Sequence, residues 1–209
     1  ANIFPRVLCS SDIFLTIMNN LIKRVNAPSL FSHSISYTTS STQQKLSIIN
    51  NTVITPYTFS GDGSSRAKYL NLLSPAVIKN NIFQASATTF TYAPNAALTA
   101  SGNSSSYNYF RNTLASYPAF SSTDVVLTTN PVNTTTGQLI LPTPALNGAD
   151  PSFEFYDLDL SVGDAGCYGG SYSLDNYFPN TDVLSWHRAP CIRWNFHTPV
   201  ELIIFIPLD

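Results

Sequence analysis

The chain has 209 residues and a formal net charge of −2, and only 11% of its residues are charged. Ordinary soluble domains carry about 25% charged residues, and the chain has only four Lys and two Glu, two residue types that favour exposed helix. This composition disfavours a helical cytosolic enzyme. The sequence also has no run of five basic residues, so it lacks the electrostatic footprint of nucleic-acid binding.

The first predicted element is a helix over residues 12–25, which lies within an N-terminal extension of residues 1–30. Ser11 suits the N-cap position, and apolar side chains from Phe14 to Val25 recur at the spacing of one helix face. Such an apolar stripe indicates a surface that packs on the core or on a partner.

Most of the remaining chain is predicted to form short strands. Alternating or β-branched stretches lie at residues 34–39, 45–57, 77–92, 125–129, 138–141, 153–162, 191–197 and 200–206. Two short helices in loops are predicted at residues 65–73 and 106–114. Prolines and glycines punctuate the strands at the spacing of an antiparallel sheet, and no internal repeat is recognised. We therefore expect residues 1–209 to form one all-β domain, an antiparallel β-sandwich of jelly-roll type.

The C-terminal segment Val200–Leu208 is apolar on both faces of a strand, apart from Glu201. A strand of this kind is buried on both sides, in a sheet interior or against a neighbouring subunit. It is too short to cross a bilayer, so membrane insertion is not expected.

Asp157 and Asp159 are the candidate metal ligands. If residues 153–162 form a strand, both carboxylates point to one face of the sheet, about 7 Å apart. A structural role is favoured over binding of a divalent cation, and catalysis is the least favoured alternative. The glycine-rich stretch from Gly163 to Tyr172 lacks a lysine and a following helix, which indicates a flexible surface loop and no phosphate site. With no nucleophile signature in the sequence, we expect no enzyme activity and no cofactor.

The three cysteines, Cys9, Cys167 and Cys191, are an odd number at wide spacing. This pattern fits neither a secreted disulfide scaffold nor a zinc site. Buried thiols are the favoured interpretation, and one bridge between Cys167 and Cys191 is the alternative.

A stretch that contains both tryptophans is the candidate interface: Trp186, Arg188, Arg193 and Trp194. Trp and Arg are enriched at interface hot spots because they combine large buried area with fixed donors. The alternatives are a loop that packs one Trp into the core, and an aromatic platform for a sugar or a base.

The strand block Phe153–Val162, the loop through Trp186 and the closing strands 191–197 and 200–207 resemble, in layout, the small jelly-roll coat subunits of picorna-like viruses. The resemblance implies a capsid structural protein that assembles with copies of itself or sister coat proteins into an icosahedral shell. It implies location in the virion and, because the basic arm is missing, only indirect contact with the viral genome.

The alternative function is a viral spike or secreted attachment domain at the cell surface that binds a glycan or a host receptor. Low charge and aromatic loops serve this function equally well, with Tyr168, Tyr172 and Trp186 as the candidate sugar contacts. A secreted hydrolase is the third and least favoured hypothesis.

Overall fold

The structure is a computed structural model that describes residues 2–4, 7–10, 13–23, 33–37, 42–55, 66–72, 74–85, 91–92, 104–111 and 121–173. Within these ranges the backbone forms fourteen strands and one 3₁₀ helix, Phe153–Phe155. The strands are β1 (Asn2–Phe4), β2 (Val7–Cys9), β3 (Leu15–Met18), β4 (Asn20–Lys23), β5 (His33–Tyr37), β6 (Leu46–Ile49), β7 (Thr52–Thr55), β8 (Arg66–Leu72), β9 (Ala76–Lys79), β10 (Ile82–Ala85), β11 (Thr91–Tyr92), β12 (Ser104–Ser106), β13 (Tyr109–Arg111) and β14 (Val125–Leu127).

The strands form three parallel sheets. Sheet 1 has the order β1-β4-β7-β10-β13-β14, sheet 2 the order β11-β8-β5-β2, and sheet 3 the order β12-β9-β6-β3. From β1 to β10, each strand pairs with the strand that comes three places later in the chain, and all these pairs are parallel. The chain therefore winds through the three sheets in turn and stacks coil upon coil, as in a parallel β-helix. The prediction of an antiparallel jelly-roll sandwich is wrong.

The interior of the coils is filled by columns of apolar side chains that run from coil to coil. Ile17, Ile48 and Ile78 are in register in sheet 3, and the phenyl rings of Phe83 and Phe110 stack in sheet 1 with centroids 5.0 Å apart. All five side chains are fully or almost fully buried. Because each coil is short, its apolar residues become a continuous core only when neighbouring coils cover them.

The outer face of sheet 1 packs against residues 131–173, which we call the covering segment. Leu21, Ile54 and Ile82 point outward from sheet 1 and join a second apolar core with Ala165 and Cys167 of the covering segment. Sheet 1 is therefore covered on both faces, which explains why its central strands have apolar residues at two adjacent positions: Leu21 and Ile22, Val53 and Ile54, and Ile82 and Phe83.

A pair of residues turns the chain from sheet 3 into sheet 1 in every coil. The first member has a left-handed backbone: Asn19, Asn50, Asn80 and Tyr107, with φ from 51° to 57°. Asn accepts this conformation more readily than other non-glycine residues, because its short side chain forms local hydrogen bonds. The second member points inward: Asn20, Asn51, Asn81 and Asn108, and Asp124 holds the equivalent position in the last coil.

The inward amides form a ladder in which hydrogen bonds run in one direction. The backbone N–H and side-chain Nδ2 of Asn51 both donate to Asn81 Oδ1, at 2.9 and 3.1 Å, and Asn81 donates in the same way to Asn108 Oδ1. Asn81 Nδ2 also donates to Ile48 O of the preceding coil, at 2.8 Å. Asp124 ends the ladder, where a carboxylate can only accept. The ladder satisfies buried polar groups at the corner and fixes the register of the coils.

The helix predicted over residues 12–25 is wrong, since the structure places β3 and β4 there, with a corner at Asn19. Two strands with a change of direction between them produce the same apolar spacing as one helix face, and two adjacent Asn residues are poor helix formers. The helices predicted at residues 65–73 and 106–114 are also wrong, because those residues contain β8 and the β12–β13 corner, respectively.

Further corrections concern the covering segment. Residues 138–141 contribute only one bridge, from Leu139 to Val132, instead of a strand. Residues 153–162 contain the 3₁₀ helix and a turn at residues 157–160, not a strand. The stretch predicted to be a flexible loop is largely buried: Gly166 (φ 96°) packs against Thr52 and Ile82 of sheet 1.

One predicted strand is confirmed, and some other predictions concern residues outside the described ranges. The strand at residues 34–39 is confirmed by β5, with Ile35 and Tyr37 both buried. The closing strands at residues 191–206 lie outside the described residues, so they and the single-domain prediction for residues 1–209 stay predictions. Within the ranges that the structure describes, no helix is long and apolar enough to cross a bilayer.

Candidate functional site

A cleft of about 510 Å³ opens between the corner of the coils and the covering segment. Its floor consists of Met18, Ile49 and Asn50, which come from two successive coils, and of Gly170. Its walls are residues 153–158, Leu160 and residues 171–172. The site therefore combines a rigid base, set by the repeat of the coils, with walls from a single segment.

The walls expose large apolar side chains to solvent. Phe153 is 77% exposed, Tyr172 68% and Leu160 68%. Leu160 has a left-handed backbone, with φ of 67°, in a turn closed by its N–H to Asp157 O at 3.0 Å. A non-glycine residue in this conformation costs on the order of 1 kcal/mol. A rim that holds an apolar side chain in water at such a cost is typical of a ligand-binding surface.

Two of the aromatic rings form a pair at one wall. The ring centroids of Phe153 and Tyr156 lie 5.7 Å apart, with their planes tilted by 49°. Phe155 lies deeper, where the Lys79 ammonium sits 4.9 Å from its ring centroid. Lys79 also forms an ion pair with Asp150 at 2.8 Å, so its charge is neutralised locally.

Asp157 is the half-buried acid of the cleft. Its pKa is raised to about 6, mainly by burial and to a smaller extent by the negative charges of Asp164 and Asp159, while the N–H of Gly170, 2.7 Å from Asp157 Oδ1, acts in the opposite direction. Burial also raises the pKa of Asp164. Asp157 thus changes its protonation state near neutral pH, which is unusual for an aspartate.

Asn50 contributes an unsatisfied acceptor to the floor. Its side chain is 3% exposed, and its Nδ2 donates to Gly169 O at 2.9 Å, which fixes the orientation of the amide. Its Oδ1 accepts no hydrogen bond from any described residue. Asn19 of the preceding coil repeats this arrangement: its Nδ2 donates to Gly169 O at 2.7 Å, and its Oδ1 has no donor among the residues that the structure describes. A buried acceptor without a donor costs about 1–3 kcal/mol, and because both oxygens are shielded from solvent, a ligand in the cleft does not reach them.

The charge of the segment that forms the cleft walls is negative. Residues 147–173 contain five acidic residues and neither Lys nor Arg, although the whole chain has a net charge of only −2. The acids are Asp150, Glu154, Asp157, Asp159 and Asp164. Ligands that carry negative charge are therefore repelled, and neutral or cationic ligands are favoured.

The two predicted metal ligands do not act together. Asp157 lies in the cleft, whereas Asp159 is exposed and accepts hydrogen bonds from the N–H and Oγ of Ser161, at 2.9 and 2.6 Å. Those bonds lower the pKa of Asp159. Among the described residues no group of three His, Cys, Asp or Glu side chains could hold a metal ion.

The other predicted site residues have separate outcomes. Tyr172 lines the cleft, and its role as a sugar contact stays a prediction. Tyr168 does not: its hydroxyl donates to Thr136 O at 2.7 Å, and its ring packs on the second core. The interface candidates lie outside the described residues and stay predictions: Trp186, Arg188, Arg193 and Trp194.

Sequence reasoning missed Phe153 and Asn50. Phe153 was assigned to a strand, where it would be half-buried. The signal for Asn50 was present, since Asn pairs occur at residues 19–20, 50–51 and 80–81. Comparison of the sequence and structure with protein-family models, with curated proteins and with solved structures gave no significant match.

Proposed function

We propose that this protein is an attachment or recognition domain that binds a glycan in the cleft between the coils and the covering segment. The single observation that carries the proposal is that two exposed aromatic side chains, Phe153 and Tyr172, line one cleft together with the half-buried carboxylate of Asp157. Sugars present apolar C–H faces and many O–H donors, so they match both features.

The cleft has the composition of a small-molecule site. Such sites are mostly apolar and aromatic, with a few polar groups that fix the ligand's orientation. Phe153 and Tyr172 supply contact area, Asp157 supplies an acceptor, and Asn50 forms part of the floor. The base is rigid, because Asn50 belongs to a corner held by the ladder and by Gly169 O, so little ordering would be needed on binding.

The fold no longer supports the coat-protein function. It rested on a jelly-roll layout, and the sheets are parallel. Assembly with sister coat proteins, location in the virion and the absence of enzyme activity are untested and stay predictions. The attachment function depends on no jelly-roll feature and gains support from the cleft.

A glycan array followed by calorimetric titration of the best ligand tests the proposal. We expect Phe153→Ala and Tyr172→Ala each to weaken binding about tenfold or more, because each removes a large apolar contact. Phe14→Ala is the matched control, since Phe14 is 71% exposed but is not among the cleft residues. The proposal fails if no glycan binds, or if Phe14→Ala weakens binding as much as the cleft variants.

A further inference from the structure

The chain contains three Asn-x-Ser/Thr sequences, and the structure places two of them in opposite surroundings. They begin at Asn50, Asn103 and Asn133, and none has proline at the middle position. An asparagine in this pattern is the acceptor for an N-linked oligosaccharide, which is bulky and polar and must project into solvent. Asn103 lies outside the described residues, so the comparison concerns Asn50 and Asn133.

The sequence at Asn50 is closed to an oligosaccharide in the folded protein. The Asn50 side chain is 3% exposed, and its Nδ2, the atom that would carry the sugar, donates to Gly169 O at 2.9 Å. The hydroxyl of Thr52, which completes the pattern, accepts a hydrogen bond from Cys167 N–H at 3.0 Å. A sugar at Asn50 would therefore displace the covering segment from sheet 1.

An exposed hairpin of the covering segment, residues 132–139, presents Asn133 near its tip. Asn133 N–H donates to Gln138 O at 2.8 Å, and Gly137 N–H donates to Asn133 O at 2.8 Å. Both Asn133 and Thr135, the first and third residues of the pattern, are exposed to solvent. None of the described residues that line the cleft belongs to this hairpin, so an oligosaccharide here leaves the cleft open.

The side-chain amide of Asn133 is held by its oxygen, and its nitrogen is available to a sugar. Oδ1 accepts hydrogen bonds from Thr135 N–H at 2.8 Å and from Thr136 N–H at 3.1 Å, whereas Nδ2 donates to no described residue. An N-linked sugar replaces one hydrogen of Nδ2 and leaves Oδ1 unchanged, so both bonds survive the modification. Asn133 thus meets the two requirements that Asn50 fails, an exposed side chain and an amide nitrogen without a partner in the described part of the chain.

We propose that Asn133 is an acceptor for an N-linked oligosaccharide and that Asn50 is not. In the transfer, Asn133 Nδ2 forms a bond to the anomeric carbon of the first sugar. The bond between that carbon and the pyrophosphate oxygen of a lipid-linked oligosaccharide breaks, the lipid pyrophosphate leaves, and one amide proton is released. The co-reactant is the lipid-linked oligosaccharide of the secretory route, so this chain passes through the compartment that holds it.

Secretion of the full chain from insect cells, followed by peptide mass spectrometry, tests the assignment. An amidase that releases N-linked glycans in heavy-oxygen water converts each occupied asparagine into a labelled aspartate. The parent protein carries Asn103→Gln, so that only the sequences at Asn50 and Asn133 are compared. We expect a label at Asn133 and none at Asn50 in the secreted protein.

Variants of the hairpin separate the sequence pattern from exposure alone. Thr135→Ala should abolish the label at Asn133, because it removes the hydroxyl that the pattern requires and keeps the N–H that Asn133 Oδ1 accepts. Thr134→Ala is the matched control at the middle position and should keep the label. Thr135→Ser restores a hydroxyl and should restore the label, which separates loss of the acceptor pattern from loss of folding.

The outcomes decide each half of the assignment. An unlabelled Asn133 in the parent protein, or a label at Asn133 that persists in Thr135→Ala, overturns the acceptor site. A labelled Asn50 in secreted protein that keeps the urea midpoint of the unmodified chain overturns the exclusion by burial. A label at Asn50 confined to chains retained in the cells agrees with the proposal, because a sugar there prevents the covering segment from docking.

Discussion

Asn81→Ala is the substitution that tests the ladder most directly. Asn81 is fully buried and takes part in five side-chain hydrogen bonds. Asn81, unlike Asn80, does not have a left-handed backbone, so Ala is tolerated there and the change isolates the side-chain bonds. The variant leaves the N–H of Asn51 without its acceptor and Ile48 O without its side-chain donor.

The magnitude follows from these unpaired groups. Each buried polar group that loses its partner costs about 1–3 kcal/mol, and relaxation at a coil corner is limited because Asn51 and Asn108 are held from both sides. We therefore expect a loss of about 3 kcal/mol in the free energy of unfolding.

Urea denaturation followed by circular dichroism measures the loss. Asn130→Ala is the matched control: Asn130 is exposed, and within the described part of the chain its side chain bonds only Arg111 Nε, at 3.0 Å, so its loss should be below about 0.5 kcal/mol. If Asn81→Ala and Asn130→Ala destabilise the protein equally, the ladder does not hold the coils together.

Three further substitutions have defined outcomes. Asp124→Asn, at the end of the ladder, should cost about 1–2 kcal/mol in urea denaturation, less than Asn81→Ala, because an amide keeps one acceptor oxygen; an equal or larger cost would contradict the capping role. Gly166→Ala should cost about 2–4 kcal/mol by the same assay, since φ is 96° and the new Cβ would lie 2.7 Å from Thr52 Oγ1; unchanged stability would refute the close packing of the covering segment. The folded-state pKa of Asp157 is raised to about 6, so its contribution to stability is present below about pH 4 and is lost as pH rises through 6. Asp157→Asn should therefore be about 1 kcal/mol more stable than wild type at pH 7, after allowance for solvent screening, and show no gain near pH 4; a less stable variant at pH 7 would reverse the sign of the argument.

Strand content could be predicted locally, but sheet direction could not. The alternation of Ile35 and Tyr37 with polar residues identified β5 correctly, because side-chain period is a local property. In α/β proteins a helix joins successive parallel strands, and the sequence predicts too few helices for that arrangement. In a β-helix the strands of the other two sheets supply the connection, so a shortage of helices does not exclude parallel strands.

The residues at the corners of the coils contain a sequence signal for the coiled fold. The Asn pairs at 19–20, 50–51 and 80–81 are each preceded by an apolar residue two places before the first Asn: Ile17, Ile48 and Ile78. Their spacing of 31 and 30 residues is a repeat, but the loops between them share no pattern, and the fourth corner replaces Asn with Tyr107. A search for Asn-Asn pairs finds three of the four corners that begin with a left-handed residue.

The candidate site was predictable only in part. Asp157 and Tyr172 were singled out from the sequence, Asp157 for a strand face that does not exist. Neither the burial of Asp157 nor the unpaired oxygen of Asn50 could be inferred, because both depend on how the covering segment docks on residues more than 100 positions away.

The ladder positions bear on how this fold can change in length. Residues 2, 20, 51, 81, 108 and 124 share one column, at intervals of 18, 31, 30, 27 and 16 residues. The interval between column positions falls to about half in some coils, yet the column stays in register. Insertions and deletions must therefore lie in the connections between strands. A coil can thus gain or lose a dozen residues while the cleft floor, anchored on Asn50, keeps its geometry. Loop length and ligand recognition can evolve separately in this architecture.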